Sequence, residues 1–181
     1  DRSEGDVHPY GNPHIQTGPQ NIAPVAKGLS ERLVQLDPSH TAAYQKRYQD
    51  FSARWNVALE KWRTKAKPLA GIAVVSHHKT WVYLYTWLGM QEVTTLEPKP
   101  GIPPSAAHLE EVLALLKIKP AKMVIFSAYE DRHAADWLSQ RASIPAVQLP
   151  FSVGGADGAG DLFGLFDVTI DRLLQALNGK T

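Results

Sequence analysis

The period of the apolar positions changes near residue 70. Before it, apolar residues recur at steps of three and four, as on one face of a helix. Ile22, Val25, Ala26, Leu29 and Leu33 form one such stripe, entered at Pro19 and running to about Leu36. Pro19 suits a first helical turn, where no amide donor is needed. Asp37-Pro38 interrupts the pattern, and Asp37 is a candidate cap for a second helix. The second stripe, Tyr44, Tyr48, Phe51, Trp55, Leu59 and Trp62, predicts a helix over 39–66, with Lys46, Arg47, Asp50, Arg54 and Lys61 on its other faces. At ~1.5 Å per residue it spans roughly 40 Å. It either lies along a domain with its stripe inward or joins two units.

After Lys67-Pro68 short apolar runs take over. AGIAVVS (70–76), QEVTTL (91–96), KMVIFS (122–127) and PAVQLP (145–150) read as strands. Helical stripes lie between and after them, at 105–118, 131–142 and 161–178. Asp161 is placed to cap the last helix and Gly179 to end it. Residues 80–89, TWVYLYTWLG, fit both an alternating strand and a short helix stopped by Gly89. Parallel strands need a crossover between them, so the helix is assigned. The resulting βαβαβαβα order predicts an α/β fold: a four-stranded parallel sheet flanked by helices, preceded by a long helix.

Composition narrows the function. The 181 residues are 44% apolar, enough for a core, and carry a net charge of +1. No basic run interleaves with aromatics, so nucleic acid is not an expected partner. No apolar run approaches the ~20 residues that span a bilayer. The absence of cysteine excludes thiolate chemistry, so a metal site here would use His, Asp or Glu.

In a sheet of this kind ligands sit beyond the carboxyl ends of the strands. His77-His78, EPKPGIPPS (97–105), SAYEDRH (127–133) and PFSVGGADGAGD (150–161) lie there. His77 and His78 are adjacent, so regular structure would turn them apart and leave at most one for a given site. Glu130 and Asp131 read as a solvated pair, and His40, His108 and His133 as helix-start residues. The glycine-rich segment 154–160 admits another reading, an enzyme domain holding a nucleotide or phosphate on backbone amides at a helix N-terminus. It matches neither G-x-G-x-x-G nor a P-loop. No G-x-S-x-G elbow is present. Near the start, GDVHPYGNPHIQTGPQN (5–21) puts His8 and His14 on a loop stiffened by three prolines and three glycines.

Taken in order, GDVHPYGNPHIQTGPQNIA, the long helix, VVSHHKTWVYLYTWLGM, EPKPGIPPSAAHL and LPFSVGGADGAGDLFGLFD resemble the metal-binding solute receptors of ABC importers. These are periplasmic, non-enzymatic receptors for zinc or manganese. The family fold is two α/β lobes joined by one long helix, with the metal in the cleft between them. The resemblance implies that residues 1–38 are the tail end of the first lobe, 39–67 the linking helix and 68–181 the second lobe. Most of the first lobe is absent from this chain.

The resemblance also implies the ligands. Asn-Pro-His before the first helix gives His14. A His five residues before a Tyr and eleven before a Gly gives His78, matched by Tyr83 and Gly89. His77 falls outside that pattern, and His8 reads as a loop residue. The carboxylate that the family carries after the last strand is replaced by LPFSVGG, leaving water, no fourth ligand, or else Asp157 for that place. Ile15-Gln16-Thr17-Gly18-Pro19 stands where family members often carry Trp-Leu-Asp-Pro. Imidazoles without carboxylates favour zinc over manganese. Two histidines alone imply weak zinc binding. The implied partners are the ion and a membrane permease. An isolated second lobe would also expose the aromatic stripe meant for its partner, which suits self-association.

Overall fold

The computed structural model describes residues 11–179, so His8 lies outside the described residues. Four parallel strands form one sheet in the order β2-β1-β3-β4: β1 (Ala73–Ser76), β2 (Gln91–Thr95), β3 (Met123–Ser127) and β4 (Ala146–Leu149). Val74, Val75 and Ser76 stand opposite Met123, Val124 and Ile125, and all three pairings are parallel. The chain steps outward from β1 to β2, then returns to the other side of β1 for β3. The strand order therefore reverses between β1 and β3, and a crevice opens there at their carboxyl ends.

Six helices surround the described part of the sheet: α1 (Ile22–Leu36), α2 (Thr41–Lys65), α3 (Val82–Leu88), α4 (Ala106–Ile118), α5 (Arg132–Ala142) and α6 (Leu162–Leu177). Alternation along the strands feeds two cores. Val74, Met123, Ile125, Val147 and Leu149 meet Trp55, Trp62, Leu84, Tyr85, Phe166, Ile170 and Leu173 on one face. Val75, Val124 and Phe126 meet Leu109, Val112, Leu116, Ala135 and Leu138 on the other.

Residues 80–89 contain the short crossover helix α3 rather than a strand. Gly89, in the left-handed region at φ 71°, ends it. Tyr85 reaches back from α3 to bond Ser76 Oγ at 2.8 Å, fixing the helix against the end of β1.

Two expectations change. Asp37 makes no side-chain capping bond. Its carboxylate instead accepts from Ser39 Oγ and Tyr44 Oη and pairs with His40. The aromatic stripe of α2 is also not left bare. Trp55 and Trp62 are buried against Phe163 and Phe166 of α6.

Candidate metal centre

His14 and His78 come from segments 64 residues apart, yet their ring centroids lie 5.4 Å apart at an interplanar angle of 78°. His14 sits where the chain turns from Pro13 into the single 3₁₀ turn Ile15–Thr17. Thr17 Oγ1 bonds His14 O at 2.8 Å and Thr80 O at 3.2 Å, tying this turn to the loop that carries His78. The segments can approach because Gly18 has no side chain. A Cβ there would stand 2.8 Å from Tyr83 Cβ.

Each imidazole is held at Nδ1 by an oxygen. Asn12 Oδ1 accepts from His14 Nδ1 at 2.8 Å and from the His14 amide at 2.9 Å. The orientation of the Asn12 amide is set by its other end, where Nδ2 donates to Lys79 O at 2.7 Å. Tyr83 Oη donates to Asn12 O at 2.7 Å. Glu97 Oε2 accepts from His78 Nδ1 at 2.6 Å and from the Gly101 amide at 2.9 Å. An acceptor at Nδ1 puts the proton of the neutral ring there and the lone pair on Nε2. This is how proteins present imidazole to a metal.

The cleft around these rings is also lined by His77, Glu97, Tyr129, Glu130, Asp131 and His133. Phe151, following β4, gives it an aromatic wall 5.9 Å from His14, with Tyr129 stacked edge-on 5.2 Å from Phe151. His77 and His78 both face this space. The strand ends at Ser76 and the chain bends at once, so the alternation expected of regular structure does not apply. His77 is 5% exposed, and its buried Nδ1 has no hydrogen-bond partner. Burial lowers its pKa, against the opposing pull of Glu97 and Asp131.

Glu130 and Asp131 are not a solvated pair. Asp131 is exposed and caps α5 through the His133 amide at 3.0 Å. Glu130 turns inward. Its Oε2 accepts from the Ser127 amide at 2.5 Å, while its Oε1 is buried without a partner. Burial pushes its pKa up to about 7, against the Ser127 bond and the nearby His78. Neither Asn12, Glu97 nor Glu130 repeats in a pattern that the chain alone exposes. Their common signal is position, in loops at the carboxyl ends of strands or beside a candidate ligand.

Other candidates stay apart from this site. Asp157 is exposed and does not line the cleft. His108 bonds Thr95 O, and His40 pairs with Asp37. The glycine-rich loop folds on itself: Gly154 and Gly155 donate to Ala159 O and Ser152 O. Asp161 fills the N-terminus of α6 by accepting from the Gly164 amide at 2.7 Å. A carboxylate already at that helix end repels the anion that a phosphate cradle would need. Among the described residues no group of three or more His, Asp or Glu already stands at metal-ligand spacing, and no helix is long and apolar enough to cross a membrane.

A doubly wound sheet with an imidazole-lined cleft at its switch point describes a ligand-binding lobe. The chain belongs to the family described as zinc-uptake complex component A, periplasmic (ZnuA), whose model matches residues 1–176. Members of that family are non-enzymatic transport receptors for metal ions. The high-affinity zinc uptake system protein ZnuA of Brucella abortus is 22% identical over 99 residues, 55% of this chain and 30% of that protein. A crystal structure of ZnuA superposes with a TM-score of 0.80 at 18% identity, covering 96% of this chain and 62% of the other. FpvC of Pseudomonas aeruginosa in complex with Mn²⁺ gives 0.79 at 18% identity, covering 94% and 62%. The Ni²⁺ complex of FpvC gives 0.80 at 17% identity, covering 99% and 68%. The chain thus spans less than a third of this curated relative and about 62% of the ZnuA structure.

Proposed function

We propose that this chain holds a divalent metal ion, zinc before manganese, between His14 and His78. In this reading it is the metal-receiving part of a periplasmic receptor that delivers the ion to the membrane permease of an ABC importer. Residues 1–38 are then the end of a first lobe, 39–67 the link and 68–181 the second lobe. One observation carries the reading: two neighbouring imidazoles each have Nδ1 fixed by an oxygen that is itself anchored. Two imidazoles on one tetrahedral zinc, with Zn–N at about 2.0–2.1 Å, place their ring centres about 5 Å apart. The 5.4 Å separation of His14 and His78 matches this. Imidazole donors favour zinc, nickel or copper over a hard ion such as manganese. The Mn²⁺ and Ni²⁺ complexes of FpvC keep those ions in view as competitors.

Transport requires capture and release, with no chemistry on the ion. The ring bonds of Asn12 and Glu97 serve capture by holding each ring proton on Nδ1 and orienting the ring. Competition titration with a chromogenic zinc chelator tests this. His14→Ala and His78→Ala should each abolish measurable binding while leaving the melting temperature unchanged. Asn12→Ala should weaken binding by roughly 10–100-fold, as loss of an orienting partner does. Binding undiminished in the double histidine variant would overturn the assignment.

A further inference from the structure

We propose that Glu130 is a metal-binding residue, its Oε1 joining His14 and His78 on the ion as the anionic donor of the site. This rests on the metal-receptor reading above and adds a ligand to it.

Three features of the structure converge on Glu130. First, its carboxylate is half committed. Oε2 is pinned by the Ser127 amide at 2.5 Å, whereas Oε1 is buried with no partner. A buried acceptor left empty is costly, and native proteins rarely keep one without a use. Second, the strand order brings it to the ion. Glu130 lies on the loop after β3, His78 on the loop after β1, and the sheet reverses between those strands. Both line the same cleft with His14. Third, a separate buried group points to a ligand there. His77 lines the cleft, is more than nine-tenths buried, and keeps an unpartnered Nδ1.

Charge supports the same conclusion. Two neutral imidazoles leave the full double charge of the ion uncompensated in a partly buried space, which is unfavourable without an anion close by. Oε2 of Glu97 is occupied by His78 and Gly101. Asp131 is turned to the end of α5. Of the carboxylates lining this cleft, Glu130 has the oxygen that the fold buries and leaves without a partner; Glu92, with a buried unpartnered Oε2 of its own, lines a neighbouring groove that His14 and His78 also line. Among the described residues no three such donors stand at ligand spacing, so binding in this way requires the Glu130 side chain to turn toward the imidazoles as the ion enters.

The test uses the full chain with Zn²⁺ alone. Glu130→Gln keeps a carbonyl oxygen for the Ser127 amide and removes the charge. Asp157→Asn, outside the cleft, is the control. Competition titration should show zinc affinity falling by at least about tenfold in Glu130→Gln, no less than the loss of an orienting residue, and unchanged in Asp157→Asn. In ¹³C-labelled wild-type chain, zinc should shift the Glu130 carboxyl signal, a readout that does not depend on how the variant folds. Wild-type affinity in Glu130→Gln, or a Glu130 signal unmoved at saturating zinc, overturns the proposal. Should that occur while His14→Ala and His78→Ala still lose binding, the receptor assignment stands and the role of Glu130 alone fails. Should the wild-type chain bind no zinc, both fail together.

Discussion

Asn12 does at His14 what Glu97 does at His78: an oxygen that is itself anchored grips Nδ1 and fixes the ring proton there. A neutral amide and a carboxylate thus serve the same geometric end. Glu130 contributes a pH dependence as well. Its folded value, about 7, lies above the ordinary 4.5 because burial disfavours the charged form. The fold therefore binds more protons than the unfolded chain between those values, and stability falls as pH rises through that window. The neighbours that act on it are His78, Glu97 and Ser127. The expected loss is on the order of 2–3 kcal/mol. Urea unfolding at pH 4.5 and pH 7.5 should show wild type losing about that much relative to Glu130→Gln, which has nothing to ionise. Equal pH dependence in the two chains would show that the carboxylate is not buried in solution.

Among the elements, α2 and α6 join through buried aromatic rings. Trp62 is buried at their junction, 5.4 Å from Phe166, and its Nε1 donates to Asp167 at 2.9 Å. Lys61–Asp167 and Lys65–Asp171 pairs continue the contact at the surface, where such pairs add little. Trp62→Ala should cost about 3–5 kcal/mol in urea unfolding, since it opens a cavity and removes one bond to Asp167. A loss under 1 kcal/mol would mean that α2 is not packed on the lobe in solution. Most of these elements were legible in the chain because helix and strand periods differ so plainly. Residues 80–89 were not, since Trp81, Tyr83, Tyr85 and Trp87 satisfy both periods at once. What decided them was the need to cross between two parallel strands. The cap assigned to Asp37 failed because Tyr44, seven residues on, claims the carboxylate first.

For the molecule as a whole, one cluster of exposed apolar residues lies along α1, against the N-terminal part of the α2 stripe. Val25, Leu29 and Leu36 are exposed, beside a shallow groove formed by Ala26, Leu33, Tyr44, Tyr48 and Phe51. Apolar groups grouped in this way favour association. Sedimentation velocity across micromolar concentrations should detect a reversible dimer that Leu29→Glu dissolves. A single monomeric species at every concentration would count against association. The cleft is built on the opposite logic, by bringing loops from separate strands to one end of the sheet.

The chain by itself determined the order and type of the elements, the parallel sheet, and the two histidines set in recognisable spacings. These are local or periodic properties, and a linear pattern suffices to carry them. Only the tertiary structure decided that Glu130 turns a buried oxygen inward while Asp131 is exposed, that His77 faces the same space as His78, and that Asn12 and Glu97 grip the two rings. Each of those depends on a contact made by the approach of loops far apart in sequence, or on the exclusion of water at one end of a sheet. Solvent exposure and hydrogen-bond partnership are set by what the fold brings alongside a residue, and no spacing along the chain encodes them.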